Sequence, residues 1–266
     1  MSYTHLKVEK EETHLLKITL DREEARNAYS LEMIESLVRA LNNAEADDDI
    51  RCVIITGSGS TFSAGGDLKL MQEHGGMFHG DPVRLRNQYL RGIQRIPRRF
   101  ARFEKPVIAA INGPAIGAGL DLACMCDIRI AANGARFGST FVKLGLIPGD
   151  GGAYLLSRIV GFPRALDMVM TGRVLDTIEA ERIGLVGEVA EPEDLWTLVY
   201  KRARKIASNA PLAVRLAKSA TYQSWDLNLE AALNLAATYQ GIVQNTADHD
   251  EGVAAMLEGR APEFKG

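Results

Sequence analysis

Apolar and polar residues alternate at positions 6–11 and again at 14–20, the period of half-buried strands, with Glu11-Glu12-Thr13 as the connection. A polar loop, DREEARN, fills 21–27. Helical spacing then takes over. Leu31, Ile34, Leu37, Val38 and Leu41 mark one face of a helix from 31 to about 43, with Ser30 as its cap and Ala46-Asp47-Asp48-Asp49 closing it. Positions 52–56 read as a buried strand, so the order strand–helix–strand predicts a parallel crossover. The segment 68–103 is mixed: Gly75-Gly76 and Asp81-Pro82 read as loop, and 83–103 as a basic helix with Arg84, Arg86, Arg91, Arg95, Arg98, Arg99 and Arg102. A solvated face or subunit contact is favoured there over a dock for an anionic nucleotide tail.

Further on, the pattern predicts a strand at 107–111, a helix at 115–124 and a strand at 127–132. Arg136-Phe137-Gly138 is a loop before 139–144. Helices follow at 153–160, 162–170, 177–183 and 193–208, with a short strand at 186–189. From Pro211 the series is helical: 212–222, 229–244 and 250–258. The strands end near Val189, so the chain reads as a mixed α/β core with a helical C-terminal extension.

Two stretches carry candidate chemistry. After the strand at 107–111, Asn112-Gly113-Pro114 breaks the pattern, and the next helix opens on small residues, Ala115, Gly117, Ala118 and Gly119. A helix start so bare offers main-chain N–H groups to a ligand at close range. Asp121 lies three residues past Ala118, on the same helix face. The second stretch, from Gly57 to Asp67, is glycine-rich. It lacks the Lys-Ser or Lys-Thr pair of a phosphate cradle and the dinucleotide spacing, which leaves a tight turn or a second N–H site at Ala64. Downstream, Asp150 stands in Pro148-Gly149-Asp150-Gly151-Gly152, just before or at a helix start, where Asp is also a preferred cap.

Composition narrows the classes. The 266 residues suit one large domain or a domain with an extension, and 46% hydrophobic residues supply a sizeable core. A net charge of -3 gives no argument for nucleic acid or an anionic membrane surface, and no apolar run is long enough to span a bilayer. Cys52, Cys124 and Cys126 read as buried free thiols rather than a metal site or disulfide, and the default compartment is a reducing cytoplasm. His74 and His79 fall in a loop and receive no role.

Ordered motifs make the chain resemble the enoyl-CoA hydratase/isomerase family, the crotonase superfamily. They are LDREEARNAYS at 20–30, FSAGGDLKLM at 62–71, the stretch 107–152, RIVGFPRALDMVMTGRVLDTIEAERIGLVGEV at 158–189 and EGVAAMLEGRAPEFKG at 251–266. The resemblance implies a spiral of ββα turns, with a core over 1–200 holding the acyl-CoA site and a helical region over 201–266 for trimer packing and site closure. It also implies self-association as a homotrimer or dimer of trimers. The substrate is an acyl-CoA thioester, so coenzyme A belongs to the substrate and no separate cofactor or metal is expected.

By position, the resemblance places an oxyanion hole at the main-chain N–H groups of Ala64 and Ala118. Two such donors stabilise the negative charge that develops on the thioester oxygen, and losing one typically costs ~3–4 kcal/mol. The first of the family's two glutamates falls on Asp121 and the second on Phe141, so one acid is replaced by an apolar ring. Asp150 is the compensating carboxylate. Arg22 and Arg26 sit where coenzyme A phosphates are met, and Asp67 and Leu68 lie by the adenine pocket. Phe264 and Lys265 resemble a C-terminal pair that reaches a neighbouring subunit's ligand, and Tyr154 is placed in the acyl site. Two proton-transfer schemes follow: Asp150 and Asp121 together add water to a 2-enoyl-CoA, or a single carboxylate moves a proton from C2 to C4. Thioester hydrolysis, and coenzyme A binding without hydratase activity, stay open as alternatives.

Overall fold

Runs of branched aliphatic residues set the sheet, and the polar breaks between them set its connections. The structure is a computed structural model that describes residues 2–11 and 14–266; Glu12 and Thr13 of the expected strand connection lie outside the described residues. Strands β1 (Leu6–Glu11) and β2 (Leu15–Leu20) pair antiparallel, Leu6 opposite Leu20. Helix α1 (Leu31–Ala46) returns the chain to β3 (Cys52–Gly57), parallel to β2 as the crossover predicts. The Ser30 side chain accepts from the Met33 N–H and caps α1. At the other end, buried Lys105 gives its Nζ to the carbonyls of Ala44 and Asp47 at 2.7 and 2.6 Å, a cation on the negative helix pole.

Helices α2 (Leu68–Gln72), α3 (Pro82–Arg91) and α4 (Arg95–Phe100) lead to β4 (Val107–Ile111). Then come β5 (Ala115–Ile116), α5 (Ala118–Met125), β6 (Ile128–Ala132) and β7 (Phe137–Gly138). They are followed by α6 (Gly152–Val160), α7 (Phe162–Thr171), β8 (Val174–Leu175), α8 (Thr177–Arg182), β9 (Glu188–Ala190) and α9 (Leu195–Ala207). The chain closes with α10 (Pro211–Ser224), α11 (Leu229–Val243) and α12 (Ala247–Glu258). The main sheet runs β1-β2-β3-β4-β6-β9, parallel beyond its first pair, and β5-β7-β8 form a small second sheet.

Every residue of β3 and β4 is buried, and the two-residue period divides them between two cores. Val53, Ile55, Val107 and Ala109 pack with α1 and α5, while Ile54, Ile108 and Ala110 pack with Leu195, Val199 and Ala203 of α9. Burial on both faces is why these strands show no alternation in sequence.

Three expected elements differ. The predicted helix at 83–103 is α3 and α4, broken at Gly92, where a Cβ would lie 2.5 Å from the Gln88 carbonyl oxygen. The predicted helix at 115–124 begins only at Ala118, because Ala115 and Ile116 pair with β7 instead. The expected loop at Phe137 is β7 itself, bonded on both sides. Beyond 211, the described helices bury only Asp248 and Ala255, and Asp127 anchors them to the sheet through Lys218 Nζ at 2.7 Å and Tyr222 Oη at 2.9 Å. Among the described residues no helix is long and apolar enough to cross a membrane, and no cluster of three His, Cys, Asp or Glu could hold a metal ion.

Candidate active site

The loops that leave β3 and β4 meet at the carboxyl ends of those strands, where open α/β sheets commonly bind ligands. Two hydrogen bonds stitch them together: Ser63 N–H to the Pro114 carbonyl at 3.1 Å and Ile116 N–H to the Ser63 carbonyl at 3.0 Å. Gly65 has φ +82° and lies against the start of α5; a Cβ there would be 2.7 Å from the Ala118 nitrogen. Only glycine allows that approach. Gly117 precedes α5 without a side-chain cap, so the N–H of Ala118 is an open first-turn donor.

Ala64 does not share that position. Its N–H is taken by the Arg26 carbonyl at 2.9 Å, which corrects its expected role as the second free donor. Gly66, two residues on, has no acceptor for its N–H among the described residues and is partly exposed. Gly66 also bridges to Tyr29, whose N–H donates to the Gly65 carbonyl at 2.8 Å.

Asp121 sits one turn inside α5 and is fully buried. Its carboxyl rests on the first residue of α6: a Cβ on Gly152 would lie 2.1 Å from Oδ1. Asp150, 2% exposed, is just before that helix, between partly exposed Gly149 and Gly151. Gly149 is held by Gln94, whose Nε2 donates to its carbonyl at 2.8 Å. None of the four carboxyl oxygens has a hydrogen-bond donor among the described residues. Burial, then the charge of Asp150, push Asp121 well above the usual carboxyl range. Burial raises Asp150 too. The two buried carboxyls therefore act on each other's charge, and Asp121 is the more strongly raised.

The remaining expected residues divide. Phe141 is beside the site, its ring 3.8 Å from where a Gly117 Cβ would be. Arg22 is engaged by Asp67 at 2.8 Å, while the Asp67 carboxylate also caps α2. Arg26 and Leu68 are exposed at the same rim. Tyr154 is not brought to the carboxyls: it is half-exposed, with its hydroxyl on Asp226 at 3.1 Å and its ring under Arg158. Phe264 and Lys265 are also elsewhere. The Phe264 carbonyl accepts from Arg51 at 2.9 Å, at the start of β3, and the Lys265 N–H donates to Asp248. That is the opposite end of the parallel strands from the glycine loops, so a ligand role for this pair requires a second copy of the chain. Arg84 and Arg91 line a separate cavity of about 530 Å³ with Leu31 and Met77, while Arg95 and Arg99 are paired with Glu35 and Glu45.

The motifs behind this geometry extend over nearly the whole chain: residues 10–266 match the family described as enoyl-CoA hydratase/isomerase. The chain belongs to that family. It is similar to a crotonyl-CoA hydratase of Syntrophomonas wolfei, 38% identical over 265 residues that cover 99% of each chain. It is also similar to a 1,2-epoxyphenylacetyl-CoA isomerase of Escherichia coli, 37% identical over 259 residues and 96% of each. A solved enoyl-CoA hydratase of Bacillus anthracis superposes with TM-score 0.92 at 36% identity, covering 99% of this chain and 100% of that one. The chain is thus an enoyl-CoA hydratase/isomerase-family enzyme with the crotonase fold.

Two features of the site escaped sequence reasoning. Gly66 was overlooked because the pattern of a glycine loop does not show which of its N–H groups is consumed. Gly152 was overlooked as a seat for Asp121, although its place beside Gly151 at a helix start signals close packing.

Proposed function

We propose that the enzyme moves a double bond within an enoyl-CoA thioester by proton transfer at the Asp121–Asp150 pair, through an enolate held by the N–H groups of Ala118 and Gly66. The observation that carries this reading is the pair itself: two buried carboxyls, without other partners among the described residues, one turn from an open helix start. Asp150, the charged member, accepts the C2 proton. The C2–H electron pair moves into conjugation with the carbonyl, and charge gathers on the thioester oxygen, where Ala118 and Gly66 donate. The same proton returns at C4, the original C3–C4 π bond becomes the C2–C3 bond, and the carboxylate is regenerated. Asp121 keeps its proton and donates to Asp150 throughout. The Phe141 ring beside Gly117 puts an apolar wall where the family's second acid would stand and leaves no group there to position a water, which supports isomerisation. The Escherichia coli relative is named an isomerase and the Syntrophomonas wolfei relative a hydratase, so hydration of the 2-enoyl product is the second reading.

Arg26 at the open rim suits a coenzyme A phosphate, with Leu68 beside the adenine, and no separate cofactor is required. A homotrimer accounts for the exposed apolar residues of the C-terminal helices. Buried Cys52, Cys124 and Cys126 suit a reducing cytoplasm. The test is to give the purified enzyme a short 3-enoyl-CoA and to follow products. Conjugated 2-enoyl-CoA is expected ahead of 3-hydroxyacyl-CoA. Release of free thiol without either product would replace this reading with thioester hydrolysis.

A further inference from the structure

Asp150 is carried by a segment that its own main chain does not hold. The Leu146 N–H donates to the Phe141 carbonyl at 3.0 Å, and α6 takes over from the Gly151 carbonyl; between them, residues 147–150 make no main-chain hydrogen bond among the described residues. One side chain reaches the gap: Gln94 Nε2 donates to the Gly149 carbonyl at 2.8 Å. The amide is oriented by its other neighbour. Arg98, which can only donate, gives Nη2 to Gln94 Oε1 at 3.1 Å, so the amide nitrogen is the atom that faces the carbonyl. Arg98 is held in turn by Nη1 on the Leu90 carbonyl at 2.6 Å.

The same turn between α3 and α4 packs on both glycines that flank Asp150. A Cβ on Gly149 would lie 2.8 Å from Cε1 of Tyr89, and one on Gly151, where φ is +108°, would lie 3.5 Å from Pro97 Cβ. Two such glycines leave the chain free to adopt many conformations, so the one observed is imposed from outside. Arg95 and Arg99 pair with Glu35 and Glu45 of α1, which fixes the turn itself. Because the peptide unit is planar, holding the Gly149 carbonyl also sets the Asp150 nitrogen and Cα, from which the buried carboxyl hangs.

We infer that Gln94 is a positioning residue: its amide holds the Gly149–Asp150 peptide and so keeps the Asp150 carboxyl in its buried seat. The role rests on the reading of Asp150 as the proton-accepting group. Gln94 exchanges no proton and touches no substrate. Its removal leaves the base present and the rim that meets the thioester intact, so the loss belongs in kcat and not in KM.

The experiment places two substitutions in the full-length enzyme. Gln94→Leu removes the donor; Gln94→Glu keeps the size and the Arg98 contact but turns an acceptor toward the Gly149 carbonyl, and it carries the test if the leucine variant fails to fold. Each is made alone and together with Asp150→Asn, and kcat and KM are measured on a 3-enoyl-CoA. Alone, either should lower kcat by about 100-fold with KM unchanged. In the Asp150→Asn background neither should cost anything further, because the group it positions is gone. A wild-type kcat, or the same loss in both backgrounds, would overturn the role, the second by showing that Gln94 acts independently of Asp150. Amide hydrogen exchange of residues 147–151 in the free enzyme separates this from the functional reading. Faster exchange in the Gln94 variants, with Asp150→Asn itself fully active, would remove Asp150 as the base and leave the hold of Gln94 on the segment standing.

Discussion

Two carboxyls buried against each other are destabilising at neutral pH, because one must be charged without solvent or hold a proton the unfolded chain would release. For Asp121 the sign is clear. Its folded pKa is raised, so between the ordinary carboxyl range and that raised value the native state binds more protons than the unfolded one, and stability falls as pH rises. Asp121→Asn should therefore raise stability at pH 7 by on the order of 1–2 kcal/mol, and the gain should vanish below about pH 4. Thermal melts across pH read this as a Tm rise of roughly 2–8 °C. A loss of stability independent of pH would show that the carboxyl is structural. Residue chemistry was legible in part. Asp121 and Ala118 stand out because a bare helix start and an acid one turn away are visible in sequence. Ala64 and Gly66 could not be told apart, since the Arg26 carbonyl that silences Ala64 reaches it only through the tertiary fold.

The elements that position the site are α5 and α6, which approach closely enough for the Asp121 carboxyl to lie on Gly152. Gly152→Ala would drive a Cβ to 2.1 Å from Oδ1, and the short Asp121 side chain has no room to swing away in a filled core. The expected result is a fall in kcat of about 100-fold from displaced carboxyls, with the far-UV spectrum unchanged. Wild-type kcat in this variant would place the chemistry elsewhere. Long buried strands such as β3 and β4 were legible, since four or five apolar residues in a row leave little choice. The two-residue strands β5 and β8 were not, because pairing alone defines them; that is why α5 starts at Ala118 and not at Ala115.

On the scale of the molecule, the C-terminal helices expose apolar side chains that a solitary chain would not favour: Leu229 is 75% exposed, and Met256 and Leu257 are each 84% exposed. Self-association is the arrangement that would bury them. Light scattering should give a mass of three chains of 29.0 kDa, or six, and a monomer at all concentrations would exclude the proposed assembly. The helical extension itself was plain from sequence, because periodic segments after Pro211 carry no strand signal. Which of its faces meet another chain was not, since amphipathic spacing marks an apolar face without naming what covers it.

Turnover joins these scales, and Asp150→Asn is the variant that isolates it. Asparagine keeps the size of the side chain and removes the base. With a 3-enoyl-CoA substrate, kcat should fall by roughly 10²–10⁴-fold while KM stays near its wild-type value. An Asp150→Asn enzyme that isomerises at the wild-type rate would contradict proton transfer at the buried pair.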